Sequence, residues 1–146
     1  NTPAFAARVG TQYNLSNQTT EVIEFDTEIL DSDGCFDTST YRFTPTSAGY
    51  YYLYLTLYIA GTTSNKIKNA TGQIRLNDTT NIARGRMDPD DAYELNRANV
   101  SCSCIVYMNG SSDFIEGSAY GNITGGSPKI DEGVHQCLGG FKLLGV

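Results

Sequence analysis

The chain has 146 residues, the length of one compact domain and enough to close an apolar core without a metal or a disulfide. Acidic side chains number 16 against 10 basic ones, a net charge of −6 that argues against nucleic acid as a partner, since phosphate binding needs the opposite sign. Charged residues make up 18% and hydrophobic ones 40%, a folded composition, and no stretch approaches the roughly 18 apolar residues of a membrane span.

Helical periodicity is scarce, and clusters of Gly, Thr, Ser or Asn interrupt the chain about every ten residues. Between them, β-branched and aromatic runs predict strands at 4–9, 22–30, 41–43, 50–60, 71–76, 81–86, 100–108, 113–120 and 136–144. Turn residues fall where such strands need them, at Asp33-Gly34, Asn109-Gly110, Gly121-Asn122 and Gly125-Gly126-Ser127-Pro128, with Asn109-Gly110 a hairpin candidate. Many short strands at turn spacing predict a single all-β domain over 1–146, a sandwich or barrel.

The segment Gly49 to Ile59 carries the most information. Strand alternation sends Tyr51, Leu53, Leu55, Leu57 and Ile59 to one face and Tyr50, Tyr52, Tyr54, Thr56 and Tyr58 to the other. The first face is core. The second is a row of amphipathic rings, which are enriched at interfaces and are more than a lone monomer needs on an outer surface.

The run Ile23-Glu24-Phe25-Asp26-Thr27-Glu28, then Phe36-Asp37, then Tyr41-Arg42-Phe43-Thr44-Pro45-Thr46-Ser47-Ala48-Gly49-Tyr50-Tyr51-Tyr52 resembles the central signature of the C1q/TNF-like superfamily. Pro3 to Arg8 is similar to its first strand, Gly110 to Ile115 to the approach to a late strand, and Phe141 to Leu144 to its closing strand, with one customary glycine displaced. The resemblance implies a ten-stranded antiparallel jelly-roll sandwich assembled as a homotrimer, with binding at the apex far from the chain ends. It also implies that Tyr50, Tyr52 and Tyr54 pack against neighbouring subunits. The Thr- and Ser-rich wording around Phe43 most resembles the C1q-like domains of bacteriophage structural proteins.

Cofactor and catalytic chemistry finds little support. Cys102 and Cys104 share a strand face, and His135 with Cys137 has the same offset, so a Cys3His zinc site is conceivable, but the spacings match no standard zinc motif. The four cysteines, Cys35 included, are expected as buried thiols or in one or two disulfides. His135 is the one histidine, no Gly-x-Ser-x-Gly elbow surrounds a serine, and phosphate-binding glycine motifs are absent, so no enzyme is expected. Asp31 and Asp33, or Asp88 to Asp91, could be imagined as paired carboxylates, but both sit in turn-like sequence. Some superfamily members hold calcium near the trimer apex, which makes Asp88, Asp90 and Asp91 calcium candidates by resemblance.

Seven Asn-x-Ser/Thr sequons occur, at Asn14, Asn17, Asn69, Asn77, Asn99, Asn109 and Asn122. They fit either a glycosylated secreted protein or polar turns of a β protein. The expectation is a non-enzymatic virion structural protein, a trimeric head that decorates or cements a capsid or caps a tail fibre. Its partners would be other virion proteins or a host surface receptor or glycan, and no membrane. The alternative is a secreted recognition domain for carbohydrate or a protein receptor.

Overall fold

A computed structural model describes residues 2–64, 66–89 and 93–145. Its elements are all strands: β1 Ala4–Arg8, β2 Tyr13–Asn14, β3 Glu21–Val22, β4 Thr27–Asp31, β5 Phe36–Asp37, β6 Arg42–Phe43 and β7 Gly49–Gly61, followed by β8 Ile67–Leu76, β9 Thr80–Met87, β10 Arg97–Met108, β11 Ile115–Ile123, β12 Pro128–Ile130 and β13 Cys137–Lys142. Every pairing is antiparallel. The result is a jelly-roll sandwich of the expected class, with short segments added to the ten strands anticipated.

The first sheet is built on β7. One edge of β7 pairs with β10 along its whole length, and the other pairs with β13 and then β12, so that the order continues from β13 to β1 and β4. The last strand therefore lies between the first and the seventh, with Gly140 opposite both Phe5 and Leu53. The second sheet runs β5, β6, β11, β8, β9, and β3 shares the β6 edge of β11.

Alternation puts Leu53, Leu55, Leu57 and Ile59 of β7 inside, facing Ala70 and Ile74 of β8 and Ile115 and Ala119 of β11, all of them buried. Each large aliphatic side chain among them stabilises the fold by about 1.5–3 kcal/mol relative to exposure. One end of the core is aromatic. Phe5 stacks on Phe43 at 4.1 Å and on Phe36 at 5.3 Å, and Phe43 meets Tyr51 edge-on at 5.7 Å. This is the local reason for the Phe43-Thr44-Pro45 wording: Phe43 and Pro45 are buried, while Thr44 N–H donates to the Cys35 carbonyl at 2.8 Å. Gly110, with φ of +71°, lies against the backbone of Ser47 and Ala48, where a side chain would collide.

Three expectations from the sequence need correction. The predicted strand 22–30 is two: β3 belongs to the second sheet and β4 to the first, and the chain between them crosses over to bury Ile23 and Phe25. Gly121-Asn122 lies inside β11 and is not a turn. Asn109-Gly110 is not a two-residue hairpin, because β10 and β11 belong to different sheets; Asn109 Oδ1 instead accepts the N–H groups of Ser111, Ser112 and Asp113 at 2.9, 2.9 and 3.1 Å.

Candidate functional site

The outer face of the first sheet carries the tyrosine row. The burial of β7 alternates along its length, with Tyr51, Leu53, Leu55, Leu57 and Ile59 buried and Tyr50, Tyr52, Tyr54 and Tyr58 at least partly open. The register extends the row sideways. Tyr52 lies opposite Ile105 of β10 and Phe141 of β13, and Tyr50 lies opposite Tyr107. Ring contacts join them: Tyr52 to Phe141 at 5.5 Å, Tyr50 to Tyr107 edge-on at 5.5 Å, and Tyr52 to Tyr54 at 6.5 Å.

Among the described residues nothing covers this face: Ile105 is 61% exposed, Tyr107 52% and Phe141 44%. Between Tyr50 and Tyr58 of β7, and between Asn99 and Tyr107 of β10, no residue is charged. A depression of about 360 Å³ sits among Tyr52, Tyr54, Thr56, Ser101 and Ser103. The sequence identified the tyrosines but not Ile105, Tyr107 or Phe141, although the alternation of Ser101, Ser103, Ile105 and Tyr107 in β10 holds the signal.

Cysteine chemistry resolves toward packing. All four cysteines are free thiols. Burial pushes the thiol of Cys104 up to about 11 and those of Cys102 and Cys137 above their usual range, which favours the protonated form. His135 packs against Tyr58 with ring centroids 5.3 Å apart. Among the described residues no three His, Cys, Asp or Glu side chains gather as a metal set. Of the calcium candidates, Asp88 pairs with Arg86 at 2.8 Å, while Asp90 and Asp91 lie outside the described residues. Asp31 serves its turn, accepting the Phe36 N–H at 2.8 Å.

The sequons also resolve in part. Asn17 clamps the backbone of Ile123 through both ends of its amide, at 2.8 and 2.9 Å. Asn77 accepts the Phe114 N–H at 3.0 Å and donates to Asp113 at 2.9 Å, and Asn109 organises its own loop as described. Asn14 and Asn99 are exposed.

The model of the C1q domain family matches residues 4–89, which run from β1 through β9 and make up more than half of the chain, and the protein belongs to that family. Its fold is shared with the globular domain of zebrafish complement 1qA protein, at a TM-score of 0.69 and 12% identity over 97% of each chain. Murine APRIL gives a TM-score of 0.69 at 10% identity over 98% of this chain and 100% of that one. The Eiger TNF of S. frugiperda gives 0.66 at 10% identity over 99% and 95%. At such identities the likeness is one of fold. No curated protein sequence matches the chain.

Proposed function

We propose that residues 1–146 form one C1q-like domain that acts as the non-enzymatic, homotrimeric head of a bacteriophage virion protein, decorating or cementing a capsid or capping a tail fibre for host adhesion. The observation that carries the trimer is the exposed ring cluster of Tyr50, Tyr52, Tyr107 and Phe141 with Ile105 on the first sheet, an apolar patch of the kind that soluble monomers rarely leave exposed. Tyr50, Tyr52 and Tyr54, widened by Ile105, Tyr107 and Phe141, are the contact residues. The depression beside Tyr52 and Tyr54 receives a side chain of the neighbouring copy. Three weakly binding heads on one axis then hold their partner through effective concentration, with no covalent step.

The virion reading is supported by four free thiols, which suit assembly in a reducing cytosol, and by the sequon amides of Asn17, Asn77 and Asn109 being engaged in loop hydrogen bonds. The secreted reading is favoured by the exposure of Asn14 and Asn99. Intact-mass measurement on native material separates the two: an unmodified mass with four titratable thiols supports the virion, and added hexose supports secretion. The trimer is tested by changing Tyr52 and Tyr54 to Ser and sedimenting the variant. The wild type is expected as a trimer and the variant as a monomer; a variant trimer of unchanged stability would remove these tyrosines from the interface.

A further inference from the structure

The outer face of the second sheet holds a trough of about 260 Å³ between β8 and β9, bordered by Tyr120 of β11. Strand alternation builds it. Gly85 points inward, where the backbone of Ser101 leaves no room for a side chain, so Arg84 and Arg86 on either side both project outward. In register, Arg84 stands opposite Gln73 and Arg86 opposite Thr71, while Tyr120 faces Thr71 from the other side. Thr71 and Gln73 are only 7% and 6% exposed although they lie on an outer face, which makes them the floor of a walled site.

The arginines of this face divide into two sets. Arg42 and Arg75 are held by Glu116 and Asp78. Arg84 has no carboxylate partner among the described residues; its Nε donates to Gln73 Oε1 at 3.2 Å, which orients the guanidinium and leaves its terminal N–H groups available. Among the described residues Arg86 meets only Asp88, in a pair whose members are both about half exposed and therefore weakly bound. Two aimed guanidinium groups beside an amide, a hydroxyl and a tyrosine are a donor set for an oxyanion carried on a hydroxylated ring. The volume lies below the roughly 300 Å³ at which drug-sized pockets begin, which suits a single sugar unit.

We propose that this trough binds an acidic saccharide: Arg84 and Arg86 take a sulfate or carboxylate, and Gln73, Thr71 and Tyr120 take the neighbouring ring hydroxyls. Asp88 competes with the ligand for Arg86. The site lies on the opposite side of the sandwich from the tyrosine row. It names a ligand class for the binding role proposed above but rests on the trough alone, and its test does not depend on oligomeric state.

The test is calorimetric titration of the full chain with a sulfated disaccharide, an unsulfated uronic-acid disaccharide, a neutral disaccharide and inorganic sulfate, at low and high salt. The acidic sugars are expected to bind at least about tenfold more tightly than the neutral one, with affinity falling as salt rises. Arg84→Gln with Arg86→Gln is expected to weaken them by about tenfold or more, and Asp88→Asn to tighten them severalfold. Thr71→Val, which keeps the shape of the floor, is expected to weaken them without altering sulfate binding, and it stands as the test if the double variant fails to fold. Equal binding of the neutral sugar, indifference to the arginine changes, or inorganic sulfate binding as tightly as the sulfated sugar would each overturn the proposal. Sedimentation of the same samples reports the trimer separately, so failure here leaves that reading intact.

Discussion

Tyr54 lies with the hydroxyl end of its ring over Gly139 of β13, where any Cβ would collide with it. Burial, with the Cys137 thiol beside it, raises the pKa of its hydroxyl above the usual range even though the ring sits on an outer face. Tyr51, three residues earlier, points the other way: its ring is buried, its hydroxyl donates to the Ser47 carbonyl at 2.7 Å, and burial pushes its pKa up to about 12. Two tyrosines three positions apart in one strand thus have unrelated tasks, one closing the core and one paving a surface. Because the absence of a side chain at Gly139 sets the height of the Tyr54 ring, Gly139→Val should lift the ring from the sheet. The expected outcome is a trimer dissociation constant raised by at least about tenfold, while the Tyr51 hydrogen bond and the core it closes remain. Sedimentation equilibrium of the variant checks the first part, and its near-ultraviolet circular dichroism checks the second.

At the scale of elements, β7 was legible in full because one face meets the core and the other does not, so a period of two is written directly into its residues. The split between β3 and β4 was not, because Ile23 and Phe25 keep the same alternation while the chain changes sheets, and local pattern does not record a crossover. The polar network on β11 was equally hidden. Glu116 is fully buried, with Arg42 at 3.2 Å from one oxygen and Arg75 at 3.6 Å from the other, and Arg42 also reaches Asp78 and lies 4.0 Å over the ring of Phe114. These partners come from β6, β8 and β11 and the turn after β8, so only tertiary structure unites them.

Burial raises the Glu116 pKa above its ordinary value of 4.5, against the opposing pull of the Arg42 hydrogen bond. In the interval between the unfolded and folded values the folded chain holds the extra proton. Stability from this group is therefore fully present below the unfolded value and declines as pH rises through the folded one. Arg42→Met should leave a buried carboxylate with half its compensation, costing about 3 kcal/mol near neutral pH. It should also steepen the decline in stability as pH rises above the ordinary carboxyl value of 4.5, whereas Glu116→Gln should remove that contribution to the slope. Urea titrations of both variants across this range measure the two effects.

At the scale of the whole molecule, the sandwich has two outer faces of different character, one with an aromatic centre that Arg97 borders at Tyr58, the other a floor of buried polar groups under arginines. Both follow from the same fact, that a jelly roll uses only the inner side of each sheet for its core and leaves the outer sides to function. The closing strand β13 inserts between β1 and β7, bringing Phe141 beside Tyr52. The aromatic face is therefore complete only when β13 has docked between β1 and β7, and association should be coupled to global folding and not to a local segment. For a trimer that unfolds to three separate chains, tenfold dilution lowers stability by about 2.7 kcal/mol per trimer, or about 0.9 kcal/mol per chain. For a chain of this length, that corresponds to a fall of about 2–5 °C in the melting temperature. The wild type should show this dependence across two decades of concentration, and the variant with Ser at positions 52 and 54 should show none while melting lower. Scanning calorimetry at a series of concentrations reads both; a wild-type melting temperature independent of concentration, at concentrations where the chain sediments as a single small species, would mean that the rings of Tyr50, Tyr52 and Tyr54 face water in the working protein.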